Sequence, residues 1–265
     1  MRRTGFTLVE LLVIISVIGL LMAIFIPALG SSREHAEAVL CGSNVKQLLL
    51  GLLSYEAENN SLPYGFDSTP VNPPPGGYPG GHAYDRMGWW WFNRIEGLYK
   101  KSDTRKTVVQ CPSKCLHDPR LKNNILCGNY GVNQSICKSP DDIPSRRAEF
   151  VGTPSCSSDI PHPGRTLLIV DSGYSIISWW HVTDVPPFSL GATIEDTAYV
   201  PGLEINKAKS LWPGQEWDAI HGRHPNKTVN VGFADGHVDR VKAEYLFVEK
   251  TADGYGNKSP LWQPN

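Results

Sequence analysis

The chain has 265 residues, 41% of them hydrophobic and 19% charged, with a formal net charge of −1. That balance excludes a disordered chain and a multi-span membrane protein, and it lacks the surplus of basic residues expected of a nucleic-acid partner. With 25 glycines and 21 prolines, many turns are expected, and few long helices beyond the N-terminus.

Met1 to Gly5 is short and basic, and Phe6 to Leu29 is a largely apolar run with one charge, Glu10. A helix of that length, at about 1.5 Å per residue, reaches across a bilayer core of about 30 Å. Arg2 and Arg3 precede the span, so the N-terminus is expected in the cytoplasm and the rest of the chain beyond the membrane. An ordinary secretory signal would need a small-residue cleavage site, which Pro27 to Ser32 supplies only loosely. Nor does that reading account for Glu10, because a carboxylate at mid-bilayer costs about 2.5–3.5 kcal/mol and is expected to be functional.

Gly5-Phe6-Thr7-Leu8-Val9-Glu10-Leu11-Leu12-Val13 resembles the signature of type IV prepilins and type II secretion pseudopilins. The resemblance implies a leader at residues 1–5, cleavage between Gly5 and Phe6, and N-methylation of Phe6. It also implies a retained transmembrane segment at 6–29 and a helix kink at Pro27. Glu10 is then expected as an assembly contact, facing the new Phe6 amine of a neighbouring subunit. The implied partners are a prepilin peptidase that also methylates, an assembly platform with its ATPase, sister pilins, further copies of the chain, and inner-membrane lipid. The implied location is the bacterial inner membrane, single-pass, with a periplasmic head that leaves the membrane in a filament.

Residues 30–60 continue as an amphipathic stem. Ala36, Val39, Leu40, Val45, Leu48, Leu49, Leu52 and Tyr55 recur at helical intervals, and Ser61-Leu62-Pro63 ends the run. Ser31 and Ser32 predict a loosened start to this half. The head occupies 61–265 and begins with a Pro/Gly loop at 68–82. In Trp89-Trp90-Trp91 and Trp179-Trp180, adjacent rings on a strand would face opposite sides, one in the core and the other exposed. Strands are predicted over 166–170, 175–182, 228–233 and 238–241, with Asp171 to Tyr174 joining the first two. Val229, Val231 and Phe233 alternate with Thr228, Asn230 and Gly232, as in a half-buried strand. Asp235-Gly236 predicts a two-residue hairpin with positive φ at both positions.

The segment from Arg223-His224 to Asp235-Gly236-His237 is similar to the His…Asp-Gly motif of prepilin-like proteins of planctomycetes and related bacteria, here with a spacer one residue longer. Cys111-Pro112-Ser113 and Asn129 to Asn133 also resemble that group. Cys41, Cys111, Cys115, Cys127, Cys137 and Cys156 all follow the span, and an even count outside the cytoplasm predicts disulfides. Zinc on Cys111, Cys115, Cys127 and Cys137 is the rival, although their spacing is not that of a zinc ribbon. His221, His224, Asp235, His237 and Asp239 bunch near the last hairpin. There Asp235 is expected to build the turn and His224 to bond nearby backbone, and a structural calcium on this cluster is the alternative. No cofactor is otherwise expected. Asp141-Asp142 reads as solvated loop. No Gly-x-Ser-x-Gly, phosphate loop or His-Glu-x-x-His is present, so the chain is not expected to be an enzyme.

The fold expected is α+β, a long N-terminal helix packed on an antiparallel sheet. The function expected is that of a pilin-like subunit of a secretion pseudopilus or type IV pilus-type filament. The alternative is a membrane-tethered binding or envelope protein that keeps the leader and forms no filament.

Overall fold

A computed structural model of the chain describes residues 7–69, 88–95, 108–122, 124–140, 148–183, 198–252, 254–256 and 260–263. Gly5, Phe6, the greater part of the Pro/Gly loop and Asp141-Asp142 lie outside the described residues.

The chain enters its first helix through Thr7, whose backbone is extended and whose side chain accepts from the Glu10 amide. Glu10 returns the contact to the Thr7 amide, completing a capping box. Helix α1 then runs without a break from Leu8 to Asn59 and closes on Asn60 in the left-handed conformation. Pro27 lies inside it, and neither Pro27 nor Ser31-Ser32 interrupts the helical assignment, so the loosened start is not seen. A proline removes one N–H from the ladder, but the flanking turns carry the helix across.

Only the second half of α1 has a core to meet. Ala38, Cys41, Val45, Leu48, Leu49, Leu52 and Glu56 are buried. Val39 and Leu40, expected in the stripe, are 63% and 56% exposed. The face set by Val45, Leu48 and Leu52 projects back, at three- and four-residue steps, onto Cys41 and Ala38, leaving Val39 and Leu40 to either side.

A small antiparallel pair, β1 (Phe66–Asp67) and β2 (Trp89–Trp90), leads into the single turn α2 (Trp91–Arg94). Because the chain turns from strand to helix here, Trp90, Trp91 and Phe92 are all buried rather than alternating. After α3 (Pro119–Lys122) come β3 (Tyr130–Asn133), β4 (Leu167–Asp171) and β5 (Ile176–Ile177). Then follow α4 (Glu216–His221), β6 (Thr228–Phe233), β7 (Val238–Lys242) and a last pair, β8 (Glu249–Thr251) and β9 (Gly254–Gly256).

The main sheet has five strands in the order β5-β3-β4-β6-β7. All its pairings are antiparallel except β3 with β5. The expected join of β4 to β5 is therefore not a hairpin, since β5 crosses to the far side of β3 and pairs parallel, Val132 opposite Ile176. The predicted strand 175–182 is only two residues long and gives way to a 3-10 turn at Trp179–Val182. The architecture is α+β, a long helix on a mixed sheet, as in pilin-like folds.

The sheet separates two cores. One, containing Val45, Leu48, Leu49, Leu52, Ile169 and Trp91, lies under α1. The other, containing Val170, Val229, Val231, Phe233, Leu246 and Trp262, lies on the opposite face. The alternation read along β6 is real, but its second face is covered by the stem rather than by water. Gly232 makes that approach feasible, because a Cβ there would stand 2.7 Å from Ile169 Cγ2 and 3.1 Å from Leu49 Cδ2.

The last hairpin departs from the predicted turn. Gly236 donates to the Phe233 carbonyl, Phe233 N to the His237 carbonyl, and Gly236 alone among the turn residues has positive φ, +95°. That is the three-residue hairpin pattern, in which glycine takes the left-handed position at the end, and not a two-residue turn.

Candidate functional site

Two parts of the molecule carry chemistry that packing alone does not require. The first is the N-terminal half of α1. Leu8, Leu20, Ile24, Phe25, Ile26 and Leu29 are 61–81% exposed, and the most apolar stretch of the helix is wholly uncovered. A helix of 52 residues is about 78 Å long at about 1.5 Å per residue, so its front half can cross a bilayer while the rear half holds the head.

Glu10 stands one turn into this segment. Its Oε2 accepts from the Thr7 amide at 2.8 Å and from the Thr7 hydroxyl at 2.7 Å. Sequence reasoning saw a lone carboxylate in an apolar run and missed its local partner, although Thr-x-x-Glu ahead of such a run is a capping signature.

The second part is buried in the head. Asp171 ends β4 with its side chain fully enclosed, and its Oδ2 accepts from the Asn230 amide at 2.6 Å and from Asn230 Nδ2 at 3.0 Å. His224 Nε2 lies 3.1 Å from the same oxygen, in a side chain that is also fully enclosed. Cys41, on the buried face of α1, directs its Sγ to Asp171 Oδ1 at 3.7 Å and stands 3.1 Å from the Tyr130 hydroxyl. Cys111 joins them from the segment before α3 and is anchored by its amide to Asn129 Oδ1 at 3.0 Å. Beside the group, Arg223 pairs with Asp218 at 2.7 Å and donates to the carbonyls of Asn129 and Ser172.

The electrostatics favour separated charge in this pocket. Burial opposes charge on His224, but the Asp171 carboxylate and the Cys111 sulfur outweigh it and push the imidazole up to about 9. Burial likewise opposes a Cys111 thiolate, yet hydrogen bonding with Cys41 and His224 and the Arg223 charge draw it down to about 6. Burial raises Asp171 as well, and His224, the Arg223 charge and the Asn230 amide together more than compensate, so its carboxyl stays below the ordinary value.

The other expected sites disperse. Among the described residues, none of the six cysteines is joined in a disulfide. The segments carrying them pack to different places: Cys115 Sγ donates to the Ser113 carbonyl, and Cys156 Sγ donates to Glu56 Oε1. Cys111 meets Cys41, Asp171 and His224, and not the zinc partners expected for it. The histidine and aspartate cluster of the last hairpin does not converge either. His221 is exposed and stacks on Trp217, Asp235 pairs with His237 at 2.6 Å on the hairpin surface, and Asp239 accepts from the Arg240 amide. His224 alone turns inward, its enclosed imidazole held against Asp171 of β4 and Asn230 of β6.

A family model described as the prokaryotic N-terminal methylation motif matches residues 1–26. The chain carries a prepilin-type N-terminus. It is similar to competence protein ComGC of Halalkalibacterium halodurans, 30% identical over 67 residues, which are 25% of this chain and 66% of that protein. It is also similar to type II secretion system core protein G of Aeromonas hydrophila, 34% identical over 62 residues, 23% of this chain and 43% of the relative. The type IV wide pilus major component PilA4 of Thermus thermophilus is 33% identical over 76 residues, 26% of this chain and 58% of its own length. The chain thus spans 43% to 66% of the length of these relatives. No solved structure matches. In this prepilin-type segment Thr7 and Glu10 are the described polar residues of the signature, and Gly5 and Phe6 precede the described region.

Proposed function

We propose that the chain is a pilin-like structural subunit of a type II secretion pseudopilus or type IV pilus-type filament. The observation that carries this reading is the single helix α1, whose apolar front half is uncovered while its rear half is built into a folded head. An apolar surface of that extent needs lipid before assembly and other apolar stems after it. Cleavage after Gly5 by a prepilin peptidase would free the Phe6 amine, and methylation would leave it basic. In a staggered stack of stems, Glu10 of one subunit would meet the Phe6 amine of the next and set the register. An ion pair buried among stems leaves a charge stranded when one partner is removed, at about 3–5 kcal/mol. The head would lie in the periplasm, joined to an assembly platform and sister pilins through the stem.

Glu10→Val tests the proposal, with shearing of cells to collect surface filaments. The variant is expected to insert and to lose Met1–Gly5 as the wild type does, because the scissile bond is unchanged. It is expected to remain in the inner membrane and be absent from the sheared fraction. Wild-type assembly of Glu10→Val would remove the carboxylate from the mechanism. A wild-type chain that never enters a filament would establish a tethered envelope protein instead.

A further inference from the structure

We propose that Cys41, Cys111, Asp171 and His224 form a site for one thiophilic divalent cation, zinc by its donor set, which fastens the stem helix to the head sheet. One donor atom from each residue lies within 4.8 Å of every other, and all four residues are buried. Around a tetrahedral zinc, with bonds of about 2.3 Å to sulfur and about 2.0–2.2 Å to nitrogen or oxygen, neighbouring donors stand roughly 3.3–3.8 Å apart. A modest contraction of side chains suffices. Two sulfurs, one imidazole and one carboxylate suit zinc and do not suit calcium, which takes oxygen donors.

The four donors arrive from separate parts of the chain. Cys41 is on α1, Cys111 precedes α3, Asp171 ends β4, and His224 lies between α4 and β6. No local element needs them together, so the convergence is a property of the tertiary fold. Three of the four residues are also held from behind, as metal ligands are. The Tyr130 hydroxyl supports Cys41, the Asn129 side chain holds the Cys111 amide, and Asn230 binds Asp171 through both its amide and its side chain. The His224 imidazole is enclosed and lies between the Asp171 carboxylate and the Cys111 sulfur, so a ring nitrogen is offered toward the same point.

A disulfide between Cys41 and Cys111 is the competing use of the two sulfurs. It would remove the thiol that faces Tyr130 and Asp171, and it gives no role to an enclosed carboxylate and imidazole aimed at the same point. Binding of the cation releases the Cys41 thiol proton and the proton carried by the Cys111–His224 pair, so two thiolates, a neutral imidazole and the Asp171 carboxylate surround it. The Arg223 guanidinium, fixed by Asp218, lies alongside to offset the remaining negative charge.

The test uses the full chain in detergent micelles, reduced and stripped of metal, then titrated with cobalt(II). The expected result is a near-ultraviolet thiolate-to-cobalt charge-transfer band with the visible bands of tetrahedral cobalt, saturating at one ion per chain and displaced by zinc. Cys41→Ser and Cys111→Ser should each lower the charge-transfer band by about half, the expected loss of one of two thiolate ligands. The double variant should abolish it, and Cys137→Ser should leave it intact. The wild-type spectrum is decisive by itself if a variant fails to fold. Two results overturn the site. One is a reduced wild type with the same cobalt spectrum as the double variant. The other is peptide mapping of the chain isolated from cells that finds Cys41 joined to Cys111.

Discussion

The two halves of α1 are one unbroken helix, almost wholly apolar in front and amphipathic behind, and they have opposite surroundings. Leu20 and Ile24 are each 67% exposed, whereas Leu48 and Leu49 are 1% and 0% exposed. Helix formation does not distinguish them, since both halves satisfy their backbone internally. What distinguishes them is the partner surface. The rear half meets β6 at Gly232, where the missing side chain lets Val45 and Leu49 approach the sheet. No described residue approaches the front half in that way. An apolar helix face is therefore not in itself a core face, and the small residue opposite it decides.

The largest expected effect contrasts an ion pair in the head with one on the stem. Asp218 and Arg223 have fully enclosed side chains, and Tyr199 donates a further hydrogen bond to Asp218 at 2.7 Å. Asp218→Asn leaves the guanidinium without its counter-charge and should cost about 3–5 kcal/mol. Arg33 and Glu37, also 2.9 Å or less apart, stand at the start of the rear half with the arginine 81% exposed. Glu37→Gln should cost about 0–1 kcal/mol. Urea unfolding of both variants in the same detergent checks the pair, and equal losses would dissolve the contrast.

Next in size is a leucine on each half. Leu49→Ala removes a side chain from the core between helix and sheet and should cost about 2–5 kcal/mol. Leu21→Ala, 48% exposed in the wild type, should leave the stability of the head within about 0.5 kcal/mol. Thermal melting of the two variants sharpens the comparison. A matching drop for Leu21→Ala would mean that the front half already has an intramolecular partner.

Gly236→Val acts through the hairpin that rests on the rear half. The φ of +95° excludes a β-branched residue, and the new Cβ would stand 3.1 Å from Leu53 Cδ1. The Gly236 carbonyl also accepts from Lys46 Nζ on the stem at 2.6 Å. The expected loss is more than about 1 kcal/mol, with Gly236→Asn recovering part of it because asparagine tolerates positive φ. Melting temperatures of the two variants decide it, and an unchanged Gly236→Val would show that the turn is not strained.

The legible parts of the fold were those with local periodicity. β6 alternates and is followed by a turn dipeptide, so β6, β7 and a turn between them were readable, though not the turn's three-residue length, and the helix followed from its apolar run and its three-and-four spacing. β3 was not read as a strand, because Tyr130 to Asn133 is only four residues long, with one glycine and one asparagine, and its burial on both faces comes from the sheet around it. β5 is too short for a period, and its parallel pairing with β3 depends on a crossing that no local residue announces. The buried cluster was hidden for a different reason. Cys41, Cys111, Asp171 and His224 are separated by dozens of residues, and Asp171 read as part of a connecting turn. Cys111 and His224 were each noticed as motif residues, and only the sheet order brings them together.

The smallest expected effect lies at the tip of the front half. Thr7 accepts from the Glu10 amide at 3.3 Å, and Glu10 accepts from the Thr7 amide at 2.8 Å. These bonds satisfy donors that an α-helix leaves without partners in its first turn. Thr7→Ala removes the hydroxyl and should free the Glu10 amide at a cost of about 1 kcal/mol, felt only locally. Head melting should not change, since no core residue of the rear half is touched. Hydrogen exchange of the Glu10 amide should rise by roughly fivefold, the factor equivalent to that energy. The same substitution also removes one hold on the Glu10 carboxylate. If capping competes with assembly for that carboxylate, Thr7→Ala should assemble at least as well as the wild type, whereas Glu10→Val should not assemble. Thr7→Ala failing alongside Glu10→Val would show that the capped helix end itself, and not the free carboxylate, is what the neighbouring subunit reads.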